Sequence, residues 1–191
     1  MLFRKSMTHL SDEDLMIRAC GGNDRAYEEI YHRYSRPLLR YFFRMLWQDK
    51  NKAEDFLHDL FVRILEKSNH FDTSRRFSTW IYSIAHNMCK NEYRKQAFRS
   101  SVVIPGREST GSETLSEVLD QDSFQKSLEA LLHAEGEDAR TIFILRHEHE
   151  LSFVEIAEII RCPEGTVRSR HFYLKKKLAA ALEEYKGILE K

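Results

Sequence analysis

LSFVEIAEIIRCPEGTVRSRHFYLKKKL, Leu151 to Leu178, reads as two helices around a short turn. Ser152 predicts an N-cap for the first, and Glu155 three residues on completes a capping box. Phe153, Ile156, Ala157 and Ile160 recur at helical spacing and make its inner face. Arg161 and Cys162 form the turn, and Pro163 fits the start of the next helix, where a missing N–H costs nothing. In that second helix Val167, His171, Leu174 and Leu178 fall on one narrow arc, at about 100° per residue, and this is the side expected to be buried. The opposite arc carries Arg168, Ser169, Phe172, Tyr173 and Lys176, flanked by Lys175. An Arg forks onto guanine, a Ser donates or accepts, an aromatic packs on a thymine methyl, and lysines suit phosphates. A two-helix unit with such a face is what the DNA major groove accepts. The bland alternative is a solvated basic helix, since cations favour a helix C-terminus.

The formal net charge of the 191-residue chain is zero, but the charge is strongly segregated. Seven bases stand against one acid from Arg75 to Arg107, nine acids against one base from Glu108 to Asp138, and six bases against one acid from Arg161 to Lys177. Two basic blocks therefore flank an acidic one, and phosphate binding follows the local field rather than the total. No apolar run approaches the ~18 residues of a membrane span, and the N-terminus shows no secretion signal. Cys20, Cys89 and Cys162 are too few and too far apart for a disulfide framework, which points to a reducing cytoplasm.

Helical periodicity dominates, strand alternation is absent, and no internal repeat is present, so the expected fold is all-α. Asp12 to Ala19 reads as a short helix ended by Gly21-Gly22. Asp24 is expected to cap the next helix, and Pro37 to interrupt or kink it. AEDFLHDLFVRILEK, Ala53 to Lys67, is strongly amphipathic: Ala53, Phe56, Leu57, Leu60, Phe61, Ile64 and Leu65 form the inner face, opposite Asp55, His58, Asp59, Val62 and Arg63. FSTWIYSIAHNMCKNEYRK, Phe77 to Lys95, returns to helix and buries Ile81, Ile84, Ala85 and Met88. Its other stripe holds Trp80, Ser83, Asn87, Lys90, Asn91 and Arg94, behind a loop with Arg75 and Arg76. Residues 97–123 are rich in Ser, Thr, Gly and acids and read as a flexible linker between two small helical domains, 10–96 and 124–187.

RHEHE at Arg146–Glu150 suggests a metal, but an HxH pair on a helix splays apart and no cluster completes four ligands, so neither metal nor cofactor is expected. No P-loop, GxSxG or HExxH points to an enzyme.

The C-terminal stretch, together with AEDFLHDLFVRILEK and FSTWIYSIAHNMCKNEYRK, resembles the extracytoplasmic-function (ECF) group of bacterial sigma factors over about Asp12 to Tyr185. The resemblance implies two helical domains, sigma-2 and sigma-4, a cytoplasmic location, and a protein that directs core RNA polymerase to promoters. It implies that Asp55, His58, Asp59, Val62 and Arg63 face the clamp coiled coil of the polymerase β′ subunit, and that the β flap is a further contact. Phe71 to Lys95 is similar to the −10 recognition and melting region. Arg75, Arg76, Trp80, Ser83, Asn87, Lys90, Asn91 and Arg94 are then the candidates for promoter DNA, where aromatics and Asn meet unstacked bases and cations hold the backbone. For Trp80 a core position stays open as the alternative. The helix-turn-helix is expected to read the −35 element through Arg168, Ser169, Phe172 and Tyr173, with Thr166, Lys175 and Lys176 nearer the backbone. His171, where relatives carry an aliphatic residue, fits a core histidine. An anti-sigma factor is the expected regulator. The competing reading is a free-standing helix-turn-helix regulator, which needs no single-strand contacts from the Trp80–Arg94 stripe.

Overall fold

Ser11 starts α1 (Asp12–Cys20), its side chain accepting from the Asp14 N–H at 3.1 Å. Gly22, at φ 83°, turns the chain out of it. Asn23 rather than Asp24 caps α2 (Asp24–Met45), because it is Asn23 Oδ1 that reaches the Ala26 N–H, at 3.2 Å. Pro37 lies inside α2 without ending it. Ile30 before it and Leu38, Tyr41, Phe42 and Met45 after it are all buried. That packing carries the helix past the missing hydrogen bond, since tertiary burial outweighs local propensity.

The computed structural model describes residues 7–66, 71–102, 128, 130–132 and 134–189, with backbone alone for 100–102 and 182–189. Among the described residues there is no strand. Of the linker expected at 97–123, residues 97–102 continue the helix that starts at Phe77, and the rest lies outside the described residues, as does the expected start of the second domain at 124. None of the described helices is long and apolar enough to cross a membrane.

In α3 (Lys50–Glu66) Ala53, Leu57, Leu60, Phe61 and Ile64 are buried, as the periodicity predicts. Phe56 is half-buried with its ring edge-on to Phe42 at 5.6 Å. Leu65, expected inside, is exposed, because it falls at the margin of the apolar stripe. The α4 helix (Phe77–Val102) begins where the Glu13 carboxylate of α1 accepts from the Phe77 N–H at 2.8 Å. It buries more than one face: Ile81, Tyr82, Ala85, His86, Met88 and Cys89 are all enclosed, while Ile84 is half-buried.

The reason is that α4 is sandwiched. One side meets α1, α2 and α3, and another meets the second helical unit, made of α5 (Glu137–His147), α6 (Phe153–Ile160) and α7 (Glu164–Leu189). One apolar cluster runs from Leu15 of α1 to Val167 of α7, and a smaller one joins Leu132, Leu174 and Leu178. Polar bonds lace the seam. Arg44 of α2 pairs with Glu148 at 2.9 Å, and the Tyr82 hydroxyl bonds His149 Nδ1 at 2.8 Å. Arg140 of α5 donates to the Tyr93 hydroxyl at 2.8 Å and to the Leu132 carbonyl at 3.0 Å, and the Tyr93 hydroxyl donates in turn to the Met45 carbonyl.

Candidate nucleic-acid interface

The helix-turn-helix is built as its sequence predicts. Ser152 Oγ accepts from the Glu155 N–H at 3.2 Å, and Glu155 Oε2 accepts from the Ser152 N–H at 2.8 Å. Arg161 takes the left-handed conformation (φ 54°, ψ 52°) that ends α6, and the Cys162 N–H returns to the Ala157 carbonyl at 3.0 Å. Pro163 sits one step earlier than expected. Its carbonyl accepts from the N–H groups of Thr166 and Val167, so it precedes α7 instead of opening it. On α6 the buried set is Ile156, Ile159 and Ile160, with Phe153 and Ala157 half-buried.

Val167, Leu174 and Leu178 anchor α7, as their arc predicts. His171 is half-buried beside them. Its ring stacks on His147 at 5.1 Å and meets the Phe153 edge at 5.1 Å, and its Nε2 lies 2.9 Å from His147 Nε2. Burial first, and then the neighbouring His147, holds its pKa below the usual imidazole value. His171 thus packs inward.

The outward arc is open. Phe172 and Tyr173 are 63% and 64% exposed, and Ser169, Lys175 and Lys176 are exposed beside them, with Thr166 half-buried. Two adjacent uncovered aromatics on a basic helix are unusual for a solvated face, where large apolar rings lose by exposure. Arg168 is exposed but engaged within the chain: it pairs with Glu164 at 2.5 Å and its guanidinium lies 4.9 Å over the Phe153 ring. Ser169 Oγ donates to the Gly165 carbonyl at 2.9 Å, which engages its proton and leaves the oxygen able to accept.

On α4 the sequence-predicted stripe divides. Asn87, Asn91 and Arg94 are exposed, while Trp80, Ser83 and Lys90 are half-buried. Trp80 leans on Phe71 and Phe77 at 5.2 and 5.8 Å, so it is both a core residue and a partly open ring. Ser83 Oγ donates to the Thr79 carbonyl at 2.8 Å. The loop before α4 is shaped by Asp72, whose Oδ1 accepts from the Ser74 N–H and Oγ. Those bonds hold its carboxyl pKa below the ordinary range. Arg75 is exposed and lies 3.7 Å from Asp72. Arg76 reaches across the seam to Glu155 at 2.8 Å. Glu155 therefore serves two purposes, capping α6 and holding Arg76, and the second has no signature in the local sequence.

Asp55, His58, Asp59, Val62 and Arg63 are all exposed on one face of α3. Leu65, one turn beyond Val62, and Tyr31, whose ring lies 4.7 Å from Phe61, add exposed apolar surface nearby. The periodicity missed both because it assigned Leu65 inward and attached no role to Tyr31.

Comparison with known proteins agrees with this geometry. The family described as sigma-70 region 2 matches residues 30–99, and that described as sigma-70, region 4 matches residues 136–178, together more than half of the chain. The chain is 28% identical to the RNA polymerase sigma-H factor of Pseudomonas aeruginosa, over 93% of this chain and 96% of that protein. It is 29% identical to the ECF RNA polymerase sigma factor SigW of Bacillus subtilis, over 78% of this chain and 84% of that one. Among solved structures, CnrH in complex with the cytosolic domain of CnrY shares the fold with a TM-score of 0.69 at 21% identity, covering 91% of this chain and 97% of that one. The sigma factor RpoE of Bartonella quintana, in complex with the anti-sigma factor NepR, superposes with a TM-score of 0.61 at 23% identity, covering 82% and 98%. The chain belongs to the ECF group of sigma-70 family RNA polymerase sigma factors.

Proposed function

We propose that this sigma factor reads promoters at two points and docks on polymerase at a third. The α7 face reads the −35 element: Arg168, Ser169, Phe172 and Tyr173 meet base edges, and Thr166, Lys175 and Lys176 meet the backbone. The α4 stripe of Asn87, Lys90, Asn91 and Arg94, with Ser83, the open edge of Trp80 and the Arg75–Arg76 loop, holds the −10 strand once it is unpaired. The exposed α3 face from Asp55 to Arg63 docks on the β′ clamp coiled coil, and the sigma-4 unit also contacts the β flap. The observation that carries the reading is the pair Phe172–Tyr173, uncovered on a basic helix directly after a capped helix-turn-helix.

Control by an anti-sigma factor completes the proposal. RpoE of similar fold is held in complex with such a protein, and here the sigma-2 and sigma-4 units already pack face to face. Transcription in vitro with purified core polymerase and a genomic promoter library tests the function. Specific initiation is the expected result; duplex binding by the chain alone with no specific initiation from any promoter refutes it.

A further inference from the structure

One cluster in the seam takes no part in reading DNA or docking on polymerase. His86 of α4 faces Glu137 and Asp138, the first two residues of α5, and one ligating atom from each lies within 4.8 Å of the others. His86 is only 2% exposed. Thr141 Oγ1 lies 3.4 Å from its Nδ1 and fixes the ring, while its Nε2 is buried without a hydrogen-bond partner. Glu137 Oε1 is buried and unpartnered as well. Asp138 Oδ2 accepts from Arg170 at 2.5 Å, which leaves its second oxygen. Two orphaned polar atoms from opposite sides of a seam are costly, and such orphans call for an ion or a water.

We propose that His86, Glu137 and Asp138 form a binding site for a divalent transition metal of the zinc type, bridging the sigma-2 and sigma-4 units. One imidazole and two carboxylates suit Zn²⁺ and its first-row neighbours, and the carboxylates offset the ion's charge in part, since Arg170 already pairs with Asp138. Thr141 supplies the outer contact that orients a metal-binding imidazole. Burial pushes the His86 pKa down to about 4, so the imidazole is in its ligating form at neutral pH. Burial, with Asp138 adding, raises the Glu137 pKa above the usual carboxylate range, and a cation relieves that strain; Lys90, Arg94 and Arg140 offset part of it already. Tetrahedral ligands at ~2.1 Å from a metal stand about 3.4 Å apart, so the three side chains draw in by roughly an ångström, and water takes the fourth position.

The site stands apart from the functional reading, but its consequence rests on it. A metal held by both units favours the closed arrangement, and so opposes their separation on polymerase.

The test begins with the metal-free full chain, titrated with Zn²⁺ against a chromophoric chelator and with Co²⁺ as a spectroscopic probe. One ion per chain is expected, bound at least about tenfold more weakly by Glu137→Gln and Asp138→Asn. The Co²⁺ spectrum is expected to lack thiolate-to-metal charge transfer, which separates this site from Cys20, Cys89 and Cys162. Glu137→Gln carries the test, because Glu137 Oε1 has no protein partner to lose; His86→Gln is read beside its metal-free thermal melt. Equal affinity in wild type and Glu137→Gln, or a thiolate band on the tight ion, overturns the site. Core-polymerase binding is then measured with and without Zn²⁺. Weakening of about tenfold in wild type but not in Glu137→Gln supports closure. An equal response in both removes that consequence. A chain that fails to bind core under either condition refutes the sigma reading and leaves the site intact.

Discussion

His149 makes the stability of the folded chain sensitive to acid. It lies between α5 and α6, its Nδ1 bonded to the Tyr82 hydroxyl at 2.8 Å and its ring against Tyr82 and Tyr41 at 5.0 and 6.1 Å. Its Nε2 is buried without a partner. Burial, with the charge of Arg40 acting in the same direction, pushes its pKa down to about 4. Arg33, Arg36, Glu148 and Glu150 line the rest of the cleft it faces. The unfolded chain binds this proton near pH 6.5, and the folded chain resists it until about pH 4. Between those values the unfolded state holds more protons, so stability falls as pH falls across that window. Above it the contribution is complete and flat. At pH 5 the loss from His149 is about 2 kcal/mol. The assay is urea unfolding at pH 7 and pH 5, in chelator, for wild type and His149→Phe. The phenyl ring keeps the packing but neither titrates nor bonds Tyr82, which costs on the order of 1 kcal/mol at pH 7. Other titrating groups cancel in the difference, so wild type should lose about 2 kcal/mol more than the variant between the two pH values. Equal losses within about 0.5 kcal/mol refute the assignment of acid sensitivity to His149.

Three substitutions separate the surfaces. Arg168→Ala should weaken −35 binding by holoenzyme by about 1–3 kcal/mol, measured on duplex probes, if the contact is bidentate; a uniform loss across all sequences would reassign Arg168 to phosphate. Asn87→Ala should reduce open-complex formation, read by permanganate reactivity of the −10 strand, while binding to the −35 duplex persists. Asp59→Lys should impair association with core polymerase without shifting the thermal melt, since Asp59 is exposed; unaltered core affinity removes α3 from the interface.

The helix-turn-helix was legible because its determinants are local. A cap three residues from its partner, a turn and an arc of three aliphatics are all written within Ser152 to Leu178. The α3 core was legible for the same reason, except at its margin, where Leu65 was expected inside and is exposed. The structure departs from the sequence reading where distant packing decides. Periodicity gives α4 one inner face, but Tyr82, His86 and Cys89 are buried because a second unit covers them. Nothing near Arg76 announces Glu155, which is 79 residues away. His86 is invisible as a ligand for the same reason, since Glu137 and Asp138 reach it only through the seam.

The forces at that seam are of two kinds, and they respond differently to solution conditions. The Arg76 side chain is 75% exposed, so its pair with Glu155 contributes at most about 1 kcal/mol and fades with salt. Arg140 is buried, and its bonds to Tyr93 and Leu132, like the apolar packing of α4 on α6, are screened little. Closure is therefore an apolar and buried-polar contact, while promoter binding is an ionic one that weakens steeply with salt. Ionic strength alone is expected to move DNA affinity far more than it loosens these seam contacts. The α3 face from Asp55 to Arg63, proposed above to dock on core polymerase, is exposed in this arrangement, so on that proposal docking there does not require the buried seam to part first.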